Sequence, residues 1–119
     1  SMEMRRELYD GLKNKPNACR LLIDTRMGAE TYMQYTMNPA NSDHRASYEK
    51  TLYKSSEVEQ VRCTEKSTIY TATLAAGLVT KTIKNVLMNQ PFPKSLEWSI
   101  AKSDNNPSSM SLVSYSGNV

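Results

Sequence analysis

Apolar and polar positions recur along this chain with two different periods, and the period assigns the elements. Over residues 3–14, Met4, Leu8 and Leu12 return every four positions among charged neighbours, which predicts an amphipathic helix stopped by Lys15-Pro16-Asn17. Residues 19–24 read C-R-L-L-I-D, and three consecutive apolar residues, Leu21, Leu22 and Ile23, predict a central strand buried on both faces. Past Gly28, residues 30–38 alternate, with Met33, Tyr35 and Met37 on one side and Tyr32, Gln34 and Thr36 on the other, the period of a half-buried strand. Asn41-Ser42-Asp43 is a cap for a short helix reaching about Tyr53, with Arg45, Tyr48 and Leu52 on one side.

The strongest periodic segment is 67–88. Ile69, Ala72, Ala75, Ala76, Val79, Ile83, Val86 and Leu87 fall at helical spacing, and Leu74 and Leu78 widen the stripe, so a long, largely buried helix is expected. Gly77 beside Ala75 and Ala76 is read as a packing residue that lets a neighbour approach, against a propensity cost of about 1 kcal/mol. Residues 89–93 stop this helix. Residues 95–101 alternate again, with Leu96, Trp98 and Ile100 facing the core; 104–109 are turn-rich, and 111–115 read as a last short strand or an ordered tail.

Composition changes this picture little. With 119 residues there is room for one domain, 1–119, burying about two-thirds of its unfolded surface. Hydrophobic residues at 39% and charged residues at 23% exclude the composition of a disordered chain. The net charge of +3 comes from basic residues spread from Arg5 to Lys102 with no run that could follow a phosphate backbone, so no nucleic-acid partner is expected, and Arg5-Arg6 read as a solvated helix face. Cys19, Cys63 and the single histidine, His44, do not assemble a zinc site. With no signal-peptide pattern and no apolar run long enough for a bilayer, no membrane association is expected, the cytoplasm is the expected compartment and the thiols are expected to be reduced.

Candidate chemistry is correspondingly sparse. The glycines stand at 11, 28, 77 and 117 and build no phosphate-cradling loop, so the chain alone is not expected to bind ATP well, and no metal is expected. His44 sits in a capped polar segment and reads as a surface helix residue. Asp24-Thr25-Arg26 follows an apolar run at a strand end, where open α/β sheets place ligand sites; alternatively Asp24 and Arg26, two apart and on the same side if the strand continues, pair with each other or satisfy a turn. Cys63 precedes the long helix with Arg62 and Lys66 nearby, a setting that favours a thiolate and makes it a candidate nucleophile, the alternative being a small buried hydrophobe. Cys19, opening an apolar strand, reads as core.

The stretches R-R-E-L-Y-D-G-L, L-L-I-D-T-R-M-G-A-E-T-Y-M-Q-Y and C-T-E-K-S-T-I-Y-T-A-T-L-A-A-G-L-V-T-K-T-I-K-N-V-L, in this order, resemble the C-terminal half of ThiF/MoeB/HesA adenylyltransferases over about residues 3–101, and among them the bacterial and phage-encoded branch with an I-D-x-R-M-G stretch. The resemblance implies an α/β fold, the C-terminal part of a Rossmann-like sheet with mixed strands and one long buried helix. It implies an enzyme that uses ATP and magnesium to adenylate the C-terminus of a ubiquitin-like or sulfur-carrier protein, commonly as a homodimer, with the nucleotide loop in the half that precedes these residues. Carried onto this chain, Asp24, Arg26 and Gly28 face the adenylation site and the incoming tail, with Arg26 able to steady a carboxylate or phosphate bidentately. Residues 53–63 become the crossover loop, 103–119 a tail, and Cys63 the position where many relatives place a cysteine. Relatives often carry glycine where this chain has Asp24-Thr25-Arg26, and many carry two C-x-x-C pairs for zinc that are absent here. The rival expectation is a stand-alone protein-binding or scaffolding module without ATP chemistry, pairing with a partner through exposed strand edges.

Overall fold

A computed structural model describes residues 2–28, 30–53 and 68–100. Expectations that concern the 53–63 crossover loop beyond Tyr53, with Cys63, or the 103–119 tail fall outside these residues. The described chain is a small mixed α/β unit with three helices and a three-stranded sheet; the α/β class agrees with the expectation, whereas the described strands pair only antiparallel where the resemblance implies mixed strands.

Helix α1 (Met2–Asn14) carries Glu3 in its first turn and Lys13 in its last, each placed favourably in the helix dipole. Its buried residues are Tyr9 and Leu12. Met4 and Leu8, expected inside, are 68% and 52% exposed. The inward face runs Arg5, Tyr9, Leu12, because the arginine has a buried partner to reach; Arg5 and Arg6 are half-buried ties rather than a solvated face.

Strands β1 (Leu22–Gly28), β2 (Thr31–Met37) and β3 (Ser95–Ser99) form a meander in the order β1-β2-β3, antiparallel throughout. Leu22 pairs with Met37 and Gly28 with Thr31, while Tyr35 pairs with Ser95 and Thr31 with Ser99. The central strand is β2, not the 19–24 segment. Of that segment only Leu22, Ile23 and Asp24 enter β1, whose buried positions are Asp24, Arg26 and Gly28. Strand β2, expected to be half-buried, has Tyr32, Gln34 and Thr36 buried on one face and Met33 and Met37 on the other. A polar-looking face is buried here because its Gln34 is hydrogen-bonded internally. Cys19 lies ahead of β1, half-buried against the core rather than inside it.

Helix α2 (Ser42–Tyr53) is capped by Asn41, whose Oδ1 accepts from the N–H groups of Asp43 (2.9 Å) and His44 (3.2 Å). Its buried face is His44, Tyr48 and Leu52, four residues apart. His44 is therefore not a surface residue. Tyr48 and Leu52 join Tyr9, Leu12 and Met37 in a cluster between α1, α2 and one face of the sheet. On the other face Tyr32 and Trp98, with ring centroids 5.5 Å apart, pack with Ala75 of helix α3 (Ile69–Leu87). The sheet is thus a middle layer with α1 and α2 on one side and α3 on the other.

Helix α3 starts at Thr68, whose side chain accepts from Thr71 N–H, and ends through Met88 into Asn89, which takes the left-handed conformation (φ 54°). The expected long helix is present, but it is not largely buried. Only Thr71, Ala75 and Thr82 are fully covered, whereas Ile69, Ile83 and Leu87 are 83%, 45% and 65% exposed. Gly77 is exposed too, and a Cβ there meets nothing within 4 Å, so it packs against no described neighbour.

Candidate functional site

The sequence candidates Asp24, Arg26 and Gly28 alternate along β1 and so share one face, the face covered by α1 and α2. What the structure assembles there is a buried charge cluster. Asp24 Oδ1 accepts from Arg5 Nε at 2.9 Å, and Oδ2 accepts from Arg26 Nε at 3.2 Å, Arg26 Nη2 at 3.0 Å and Tyr48 Oη at 2.7 Å. The side chains of Arg26 and Asp24 are 0% and 7% exposed, that of Arg5 26%. Arg26 also donates through Nη1 to the Thr51 carbonyl and through Nη2 to Thr51 Oγ1, and its guanidinium lies 4.6 Å from the centroid of the Tyr35 ring.

Two cations face one carboxylate, and both of its oxygens are engaged: three donors converge on Oδ2 and one on Oδ1. Such a group is neither a free general base nor a free metal ligand. The fork of Arg26, expected on an incoming carboxylate, closes on a carboxylate of its own strand. Of the two readings open in the sequence, mutual pairing describes the geometry. Gly28 ends β1 and its carbonyl accepts from Thr31 Oγ1 at 3.0 Å. Cys63 lies outside the described residues, so no distance relates it to this cluster.

The spacing of Asp24 and Arg26 made their pairing legible. Arg5, Tyr48 and Thr51 were not, since they come from helices 19 to 25 residues away along the chain. Burial next to Asp24 raises the Tyr48 hydroxyl pKa, and burial followed by the same carboxylate raises that of Tyr32, so both stay protonated donors. Tyr9, buried and donating to Glu49 Oε2 at 3.0 Å, is pushed up to about 12. On the opposite face Tyr32 donates to Gln34 Oε1 at 2.6 Å and Gln34 Nε2 to Thr82 Oγ1 at 2.8 Å, a second buried polar chain that ties the sheet to α3.

Among the described residues no three potential ligands gather into a metal site, and no helix is long and apolar enough to cross a membrane. Comparison with family models, curated proteins and solved structures finds no match to this chain.

Proposed function

We propose that this chain is the C-terminal half of a ThiF/MoeB/HesA-type adenylyltransferase, a Rossmann-like enzyme that activates the C-terminal tail of a ubiquitin-like or sulfur-carrier protein. In this reading a nucleotide-binding half holds ATP and magnesium, and this chain supplies tail binding and, at Cys63, an acceptor thiol. The observation that carries it is the outer face of α3. Ile69, Ala72, Ala76, Val79, Ile83 and Val86 recur at alternating steps of three and four, the spacing of a helix-pairing seam. Of these, Ile69, Ala72, Ala76 and Ile83 are exposed.

A second apolar stripe on a helix that already packs on a sheet is what a piece of a larger α/β body presents, and the occupant that fits this reading is the nucleotide-binding half. Strand β1 points the same way. It lies at the sheet margin among the described residues, where further strands can add. The order helix, strand, strand, helix, long helix, strand is also the order on which the resemblance rests.

Calorimetry with ATP and magnesium tests the reading. This chain alone is expected to give no saturable heat. A polypeptide extended upstream by a nucleotide-binding half is expected to bind ATP and to exchange pyrophosphate into it when the carrier protein is present. Saturable micromolar binding by the chain alone puts the nucleotide site within these residues and overturns the assignment or its register.

One observation favours the second reading, a stand-alone protein-binding module without ATP chemistry: Asp24 and Arg26 are bound to each other. An extended polypeptide that folds but neither binds nor turns over ATP decides for it.

A further inference from the structure

Where the approach to β1, the start of α2 and the end of α3 meet, a groove of about 410 Å³ opens to solvent, a volume within the range of small-molecule sites. Its polar lining consists of Arg20, Asn38, Asn41, His44, Asn89 and Gln90. Each amide oxygen in this set is already engaged by the protein. Asn38 Oδ1 accepts from Ala40 N–H at 3.0 Å, and Asn41 Oδ1 from the N–H groups of Asp43 and His44. Asn89 Oδ1 accepts from Arg20 Nη2 at 3.4 Å, and Gln90 Oε1 from Lys84 Nζ at 2.6 Å.

All of these partners are obligate donors, so they fix which way each amide faces. The four NH₂ groups are left without a partner among the described residues. His44 lines this groove and also a smaller cavity beside Tyr48, Thr51 and Lys94. The histidine is 5% exposed, and its Nδ1 accepts from Asn38 N–H at 3.0 Å. Burial, and after it the charge of Lys94, lower its pKa, so the ring is neutral and its proton sits on Nε2, which has no partner among the described residues. Arg20 spends one nitrogen, Nη2, on the Val86 carbonyl and Asn89. Among the described residues no carboxylate lines the groove.

We propose that this groove binds the oxyanion end of a small ligand, a phosphate or a carboxylate, with Arg20 as counter-charge and the His44 Nε2–H and amide NH₂ groups as neutral donors. A lining that carries a cation and several free N–H groups, with its amide oxygens turned to protein donors, suits an anion and disfavours a cation. Leu21 and Phe92 give the ligand's body an apolar wall. The site is separate from the Asp24–Arg26 cluster and does not rest on the adenylyltransferase reading.

The test is a resonance titration of the isotope-labelled chain with inorganic phosphate, phenyl phosphate and acetate. The expected result is saturable shifts of the side-chain NH₂ signals of Asn38, Asn41 and Asn89 and of the His44 ring. Saturation by any probe that Arg20→Met weakens supports the site, and the probe that saturates first names the oxyanion; a gain from phenyl phosphate over inorganic phosphate reports the apolar wall. Arg20→Met is expected to weaken binding roughly tenfold or more, and Gln90→Glu, which puts a carboxylate on the rim, to abolish it. Both positions are exposed, so an unchanged backbone spectrum verifies the fold of each variant. Shifts that grow without saturating, or saturation that Arg20→Met leaves unaltered, mean an adventitious ion only and overturn the proposal.

Discussion

Asp24 accepts hydrogen bonds from three side chains, and each belongs to a different element: Arg5 to α1, Arg26 to β1 and Tyr48 to α2. Removing the carboxylate leaves the Arg26 guanidinium charged inside the protein, so Asp24→Ala is expected to cost about 3–5 kcal/mol in urea unfolding. The double variant Asp24→Leu with Arg26→Met is expected to lose less than the two single changes together, because it removes the stranded charge along with its partner. A loss below about 1 kcal/mol for Asp24→Ala means that water already reaches the site and the cluster is not a structural tie.

His44 makes a prediction of opposite chemical sign. Its pKa is lowered in the folded chain, so between that value and the unfolded one near 6.5 the unfolded state binds more protons. Its contribution to stability is therefore complete above the unfolded value and is lost as pH falls through about 6.5 toward the folded one. His44→Asn keeps an acceptor near the Nδ1 position and removes the titration. Denaturation midpoints compared from neutral pH down to about 5 should show a flatter acid limb for the variant, and identical limbs would mean that His44 is not held neutral.

At the scale of the element, α3 carries two faces that hydrophobic periodicity alone ranks in the wrong order. The richer stripe, from Ile69 to Leu87, lies mostly outside the sheet contact, with Val79 and Val86 half-buried along it; the face that packs is Thr71, Ala75 and Thr82. The sheet makes that choice. Gln34 is fully buried on β2 and needs a polar partner, which Thr82 Oγ1 supplies, while Ala75 leaves room for the Tyr32 and Trp98 rings. Gly77, outside both the sheet contact and the core, keeps only its propensity penalty. Gly77→Ala is expected to stabilise the isolated chain by about 0.5–1 kcal/mol, measured as a higher thermal midpoint. A destabilised variant shows that something approaches this position after all.

For the whole molecule, the outer stripe of α3 is expected, on the adenylyltransferase reading, to matter for assembly more than for folding. Ile83→Lys combined with Leu87→Lys changes two side chains that are about half or more exposed, so the stability of the chain itself is expected to stay within about 0.5 kcal/mol. Association through α3, with the proposed nucleotide-binding half, is expected to fall sharply. Sedimentation of the mixed halves together with a thermal melt separates the two effects. A large drop in the melting midpoint would place the stripe inside the fold, and unchanged association would move the interface elsewhere, to the β1 edge first.

By itself the sequence determined the elements, their order and the mixed α/β class, because backbone periodicity and caps are local: Asn41 ahead of α2 and the alternation in β2 and β3 are read from neighbours a few residues apart. It also offered Asp24 and Arg26 as a pair on one side if the first strand ran on, which β1 does as far as Gly28. Tertiary structure alone decided which strand is central, which face of α3 packs, that His44 is buried, and that Arg5, Tyr48 and Thr51 close around Asp24. Those outcomes depend on polar groups that leave water only when a distant partner meets them. Hydropathy scores such a residue as exposed, and only the docking of the helices on the sheet supplies the hydrogen bonds that make its burial favourable.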